Sequence, residues 1–405
     1  MVDTVQRSAT RIGGFARDEY DFQLMRLLGA ANYGGAAPGE VFAARAHIAG
    51  DDPAAWPPAF ANLAASVQAQ AAAAQGRHPL SARDHWLRAS MYWRCAEYFA
   101  DPFLPQQRSW GQASRQAFQQ AMAALPGSAQ IMPYAFEGRQ LPGYFLRPPG
   151  ADARAARPTV LAITGFDGTA EELYFQTARA GLERGFNVAI AEGPGQMGTL
   201  RDHPDLAFRP DYEAPIGAML DAVLAQPGVD PERLALYGIS FGGYFALRGA
   251  AFQPRVRALI LNSPITNLHA YMLAFLGGTA EAEDFTLDDL PDIPEAVFPA
   301  LDKLMFKAAC RRFGVSSYFG WLERLQAFTA EAVLDQVTCP ALALAGSGEG
   351  AETERQFQQF CQNAGGPVTA HRFEAPGTDM HCQLGNLPAS NAVVYDWLER
   401  LWPRA

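Results

Sequence analysis

The stretch RLALYGISFGGYFALR, Arg233 to Arg248, decides how the rest of the chain is read. An apolar run, Leu234 to Tyr237, meets a turn of small residues and passes at once into a helix-favouring segment, the strand–turn–helix context that a G-x-S-x-G motif requires. Ser240 falls at the tip of that turn. To project its hydroxyl above a sheet the serine must take a strained backbone conformation, and a side chain at Gly238 or Gly242 would collide with the neighbouring strand or helix. Gly243 widens the tolerance. The unpaired N–H groups that open the following helix favour negative charge nearby, which suits a tetrahedral oxyanion. A turn rich in glycine and serine can serve packing alone; the strand and helix on its two sides favour a nucleophile.

A chain of 405 residues exceeds what one compact core usually holds, which implies one large domain with appended material, or two domains. Its 49% of apolar residues suffices for a sizeable core. The net charge of -10, with no lysine- or arginine-rich run, gives no sign of a nucleic-acid or membrane surface. Cys95, Cys310, Cys339, Cys361 and Cys382 are scattered, odd in number and without C-x-x-C spacing, so neither zinc nor a redox pair is indicated and a reduced, cytoplasmic setting fits. Met1 to Gly14 carry charges and lack an apolar segment, and no apolar run elsewhere has signal-peptide or spanning character. No metal and no organic cofactor is implied, and a homodimer is compatible with the chain.

From Asp18 to about Leu125 the pattern is helical, with alanine, glutamine and leucine dominant. Asp18–Leu28, Gly39–Ile48, Pro58–Gln75, Ser81–Ala100 and Gln107–Leu125 are the expected helices, with Ser81 as an N-cap. The fourth carries large aromatic residues, Trp86 and Trp93 among them, spaced for more than one face; it reads as a helix packed on two sides, with a substrate-lining role as the alternative. Strands begin after Pro126. Ile131–Phe136 and Leu141–Leu146 read as an antiparallel hairpin about Glu137-Gly138-Arg139-Gln140.

Buried strands are then expected at Pro158–Gly165, Phe186–Ala191, Leu234–Ile239 and Arg257–Leu261, with helices at Thr169–Arg184 and Tyr212–Ala225 between them, which means parallel crossovers. From Pro264 to about Glu331 the alternation stops. This stretch holds an acidic patch from Glu281 to Asp292 and helices at Pro294–Phe313 and Ser317–Ala327, and its length of about 65 residues points to a helical cap over the carboxyl edge of the sheet. The sheet resumes with Ala341–Ala345, a helix Glu352–Asn363, a strand Val368–Phe373 and a helix Ser390–Leu401. The expected division is a helical domain over 1–128, a core in two parts over 129–263 and 331–405, and the cap over 264–330.

On such a core the partners of the nucleophile follow in the order acid, then histidine, each on a loop at the carboxyl end of a strand. Of the histidines after Ser240, His269 precedes the acid strand and His371 lies inside the last strand, while His381 sits in the loop beyond it. For the acid, the loop after Gly346 offers Glu349, Glu352 and Glu354; Glu349 is nearest the strand end and has Gly348 and Gly350 to free its backbone, whereas helix-dipole attraction alone accounts for the other two. The oxyanion donors are expected to be the backbone N–H groups of Phe241 and Phe166, the latter in Gly165-Phe166-Asp167-Gly168. Losing one such donor typically costs about 3 kcal/mol of transition-state stabilisation.

With these residues placed, the chain resembles the α/β-hydrolases, and more narrowly the family that includes 2,6-dihydroxypseudooxynicotine hydrolase and the fungal polyketide-shortening hydrolases of melanin pathways. The resemblance runs from about Pro158 to Trp402 on Gly165–Glu172, Gly193-Pro194-Gly195-Gln196, Gly238–Gly243 and Asp379–Gln383. It implies an α/β fold with a mostly parallel sheet, a helical cap insertion and an N-terminal all-helical domain, cleavage of a carbon–carbon bond next to a ketone, and a triad of Ser240, Glu349 and His381. In three places the chain departs: the usual aspartate is Glu349, Met197 interrupts a Gly-Pro-Gly-Gln-Gly run, and Thr266–Leu276 carries no carboxylate where the pyridine-cleaving member has one. Trp86, Trp93, Tyr271, Phe275 and Trp321 suggest a closed apolar pocket for a small aromatic or polyketide-like substrate. A carboxylesterase or acyltransferase uses the same triad, and a catalytically silent binding module uses the same fold.

Overall fold

The computed structural model describes residues 15, 17–50, 52–124, 128–277 and 283–403. Readings that rest on Met1 to Gly14, on Leu125 as a helix end and on Glu281 as the start of the acidic patch lie outside them. Among the described residues five α-helices come first: α1 (Asp18–Ala30), α2 (Pro38–Arg45), α3 (Trp56–Ala74), α4 (Pro79–Tyr98) and α5 (Pro105–Ala123). Four of them, α2 to α5, carry proline in the first turn, where its missing N–H is one that no helix would use. This corrects the reading of Ser81 as an N-cap: Pro79 starts α4 and Ser81 lies inside its first turn.

Strands β1 (Ala129–Ile131), β2 (Tyr134–Phe136), β3 (Arg139–Leu141) and β4 (Gly143–Leu146) replace the expected single hairpin. Pro133 and Pro142 interrupt the two arms, since proline cannot donate to a ladder. The inner pair β2–β3 becomes a separate two-stranded sheet around a two-residue turn with Glu137 and Gly138 both at positive φ, while the outer pair β1–β4 joins the main sheet.

The remaining elements are β5 (Arg157–Ile163), α6 (Ala170–Leu173), α7 (Arg179–Glu183), β6 (Asn187–Ala191), α8 (Met197–Asp202), α9 (Glu213–Leu224), β7 (Val229–Ile239), α10 (Gly242–Phe252), β8 (Ala258–Asn262), α11 (Leu268–Phe275), α12 (Ala300–Phe313), α13 (Tyr318–Gln326), β9 (Ala341–Gly346), α14 (Ala351–Asn363), β10 (Val368–Phe373) and α15 (Leu387–Leu401). A π-helical turn, Tyr174–Ala178, joins α6 to α7, so the expected single helix there is interrupted. Among the described residues the main sheet has eight strands in the order β1-β4-β6-β5-β7-β8-β9-β10, antiparallel at the β1–β4–β6 edge and parallel from β6 onward. Strands β6 and β8 and the carboxyl half of β7 are buried along their length, which is why they read as apolar runs rather than as alternation.

Between β8 and β9 lie α11, α12 and α13. The first was not read as a helix, and α12 begins at Ala300 rather than Pro294, with Pro299 at its N-cap. Rings of Phe285, Phe306 and Tyr318 pack together within this insertion, Phe285 stacking on Tyr318 at 5.1 Å, and join the core on one face of the sheet.

At the centre of the sheet, β7 turns into α10 through Ser240, which is held at φ 60. A Cβ at Gly238 would lie 2.1 Å from the Gly242 oxygen, one at Gly242 2.6 Å from the Ile163 oxygen, and one at Gly243 1.9 Å from the Ser263 oxygen. Backbone thus meets backbone on three sides of the serine. Gly243→Ala is expected to cost about 3 kcal/mol, because the group it meets is main chain and cannot swing away. Gly39→Ala, where a Cβ meets nothing within 4 Å, should be neutral or stabilising by up to about 1 kcal/mol. Thermal unfolding of the two variants checks the contrast.

Candidate active site

Three loops at the carboxyl edge of the sheet bring Ser240, His381 and Glu349 into one line. His381 Nε2 lies 2.9 Å from Ser240 Oγ, and its Nδ1 lies 2.5 Å from Glu349 Oε2. Glu349 is fully buried and further held by the Gly346 N–H at 2.8 Å and the Ser263 hydroxyl at 3.2 and 3.3 Å from its two oxygens. A carboxyl group so fixed beside an imidazole selects its tautomer and orientation. Glu352 and Glu354, by contrast, are spent on Arg355 and Arg372 at the surface of α14 and β10.

The acid and histidine loops meet through main chain. A Cβ at Gly346 would fall 2.4 Å from the Asp379 oxygen, and the Gly348 N–H donates to that same oxygen at 2.9 Å. Cys382 and Gln383, directly after the histidine, both sit at positive φ, 53 and 51. Asn262 at the end of β8 holds them there, accepting from Cys382 Sγ at 3.1 Å on its main-chain oxygen and donating from Nδ2 to Gln383 Oε1 at 3.0 Å. His371 stays in β10 and His269 in α11, away from this line.

Burial disfavours the His381 imidazolium, but Cys382, Tyr271 and Glu349 outweigh it and hold the histidine well above its ordinary pKa. Phe22 of α1 lies against the imidazole, 6.4 Å between ring centroids.

The loop after β5 comes against the elbow: a Cβ at Gly165 would lie 2.6 Å from the Phe241 nitrogen and 2.9 Å from Ser240 Cβ. Among the described residues no main-chain acceptor takes the Phe166 or Phe241 N–H. The next residue, Asp167, is gripped by the helical region. Arg26 of α1 reaches Asp167 at 3.0 Å and Glu172 at 2.6 Å with two nitrogens, while Arg94 of α4 donates to the Asp167 oxygen at 3.2 Å. Thr169 caps α6 by accepting the Glu172 N–H. A second buried set lies alongside: Arg201 of α8 pairs with both oxygens of Glu97 at 2.7 and 2.5 Å and with Glu171 at 3.3 Å. Burial would raise the Glu171 carboxyl, yet Arg201 and then Arg115 bring it below its ordinary value. Arg26, Arg94 and Arg201 were not singled out from the sequence; the acids of Gly165–Glu172 were the available sign, since carboxylates in a strand-end motif need cations from somewhere.

The expected aromatic pocket is only partly assembled. Trp93 is turned away, its indole N–H donating to Gln68 of α3 at 2.8 Å, because α4 packs between α3 and α5 and presents Arg94, not Trp93, to the site. Trp86, two turns earlier, is buried in the core that the helical region shares with the sheet. Trp321 packs on Tyr318 within the insertion, and Phe275 is half-buried at its rim. Two cavities open between the helical region and the insertion, one of about 500 Å³ bordered by Phe99, Trp110 and Leu290, the other of about 210 Å³ bordered by Arg108, Met197 and Arg312. None of the five aromatic residues lines either. Among the described residues no helix is long and apolar enough to cross a membrane.

Comparison with known proteins agrees with this architecture. The family "Esterase FrsA-like" matches residues 47–275. Hydrolase ORFZ of Pyricularia oryzae is 32% identical over 94% of this chain and 96% of its own length, and alpha/beta hydrolase xenA of Xenoacremonium sinensis is 32% identical over 82% of each. Among solved structures, that of 2,6-dihydroxy-pseudo-oxynicotine hydrolase superposes with a TM-score of 0.72 at 21% identity, over 91% of this chain and 94% of its own. AbyA5 follows with a TM-score of 0.63 at 16% identity, over 95% and 100%. The structural likenesses speak to fold; the sequence matches make the protein a hydrolase.

Arg26 offers a test of the clasp on the Asp167 loop. Arg26→Met takes from the buried Glu172 its bidentate partner, with Arg94 still 3.4 Å away, and removes one cation from the part-buried Asp167; it is expected to cost about 3 kcal/mol, and adding Glu172→Leu should recover part of that loss. Chemical denaturation of the single and double variants measures both.

Proposed function

The chain belongs to the FrsA-like esterase family of α/β-hydrolases, and from that premise we propose that it is a serine hydrolase working through an acyl-enzyme on Ser240. The observation that supports this most is the unbroken line Ser240 Oγ to His381 to Glu349, at 2.9 and 2.5 Å. His381 takes the serine proton as Oγ attacks a carbonyl, Glu349 steadies the imidazolium, and the Phe166 and Phe241 N–H groups receive the oxyanion. Collapse expels the leaving group, which His381 protonates, and water attacks the ester by the same route in reverse.

We assign the substrate to small aromatic or polyketide-like β-diketones or aryl ketones, cleaved at the carbon–carbon bond next to the carbonyl. The leaving carbanion is delocalised onto a carbonyl, and the imidazolium formed when His381 takes the serine proton returns that proton to it, while the raised pKa strengthens His381 as the base of the first step. The solved relative named for a pseudo-oxynicotine substrate shares the helical region as well as the sheet, since its match takes in 91% of this chain. A second reading, an esterase or acyltransferase, is favoured by the family's own description. Turnover of an aryl β-diketone and of a p-nitrophenyl ester by the same preparation separates them: diketone turnover faster by orders of magnitude supports the first, and ester turnover alone supports the second.

The pH profile carries a further expectation. The neutral imidazole is the working base and its pKa is raised, so activity is lost as pH falls through a value above the ordinary histidine pKa of about 6.5. Glu349→Gln should lower kcat by about 10⁴ and move that limb downward, because the imidazolium loses its counter-charge. A limb at or below about 6.5 in the wild type would count against the assignment.

A further inference from the structure

The smaller cavity, about 210 Å³, is bordered by arginines from three elements: Arg108 of α5, Arg201 of α8, and Arg311 and Arg312 of α12. Their charges are unequally matched. Arg201 is saturated by Glu97 and Glu171. Among the described residues Arg312 has no such partner although it is only 4% exposed. Its Nη2 reaches the thioether of Met197 at 2.8 Å, a weak acceptor, and its Nε meets no hydrogen-bond partner among those residues. The carboxylates nearest to it, Asp167 and Glu97, are engaged by Arg26 and Arg201. A guanidinium buried without an anion is costly, and one that borders a cavity is completed by an anion entering it.

Ser240, His381 and Glu349 do not border this cavity, and the link between the two runs through Phe166. The Arg312 guanidinium lies over the Phe166 ring, 4.5 Å from its centroid, and Phe166 follows Gly165, which abuts Ser240. We propose that Arg312, assisted by Arg108 and Arg311, is a specificity-determining site that takes a carboxylate of the substrate, so that the enzyme prefers acidic acyl compounds over neutral ones of the same size. A planar, bidentate oxyanion matches the guanidinium fork. The assignment to substrate rests on the serine-hydrolase reading; the anion site itself does not.

The probe is benzoate, with benzamide as its uncharged counterpart. Benzoate at 10 mM should raise the Tm of the wild type by several degrees and inhibit p-nitrophenyl butyrate turnover competitively, while benzamide does neither. In Arg312→Met the benzoate effects should disappear, in Arg312→Lys part should remain, and Arg311→Gln, a change at a half-buried side chain, should weaken benzoate at least threefold. The hemi-ester p-nitrophenyl hydrogen glutarate should exceed p-nitrophenyl butyrate at least tenfold in kcat/KM, and the ratio should fall toward one in Arg312→Met. Equal benzoate binding by wild type and Arg312→Met overturns the site. Binding without competition makes the ligand a free acid acting elsewhere and overturns the substrate assignment. Absence of turnover of both the esters and an aryl β-diketone, with benzoate stabilisation intact, marks failure of the hydrolase reading alone.

Discussion

The backbone of Ser240 is the constraint on which the rest depends. Its positive φ is sustained because α10 is driven into the ends of β5 and β8 with no room for a Cβ at Gly242 or Gly243. One consequence is local: the hydroxyl stands clear of the sheet. Another reaches further, since Ser263, whose oxygen crowds Gly243, also uses its hydroxyl to hold Glu349. The same close approach that strains the nucleophile therefore positions the acid. Asn262, one residue earlier, secures the turn after His381. Loops distant in sequence are registered through the end of β8.

The helical region is more than a cover. Its α1 and α4 supply Arg26 and Arg94 to the loop that carries Phe166, and α4 supplies Glu97 to Arg201. Breaking one member of such a buried set is expensive, whereas an apolar set of the same shape would often be as stable, so the value of the charges lies in fixing register. A shift of α1 would pull Asp167 with it and misplace the neighbouring Phe166 N–H. The insertion does the corresponding work from the other side, its α12 laying Arg312 on the Phe166 ring and accepting the Phe208 N–H on the Arg312 oxygen at 2.7 Å.

Much of this was legible in the sequence where one physical cause dominates. Central parallel strands are apolar on both faces, and Phe186–Ala191 matches β6 to within one residue while Leu234–Ile239 ends where β7 ends. The structure brings together Ser240, Glu349 and His381, whose selection needed only the elbow and the order of the loops. Where two causes compete, the reading slipped. Proline split the hairpin in two, and the apolar Tyr271–Leu276 showed no polar face by which to recognise α11. Aromatic residues on both sides of α4 could not say which side meets the site, and Trp93 went to α3. The arginine clasps were out of reach for another reason: Arg26 meets Glu172 across 146 positions, and no local pattern records such a pairing.

The central claim is that Ser240 is an activated nucleophile, and covalent labelling reads it most directly. Treated with a fluorophosphonate and digested, the wild type should yield one modified peptide, the one that contains Ser240. Labelling should be lost in Ser240→Ala and slowed by orders of magnitude in His381→Ala. An unmodified wild type, or a label carried on any other residue, would contradict the account.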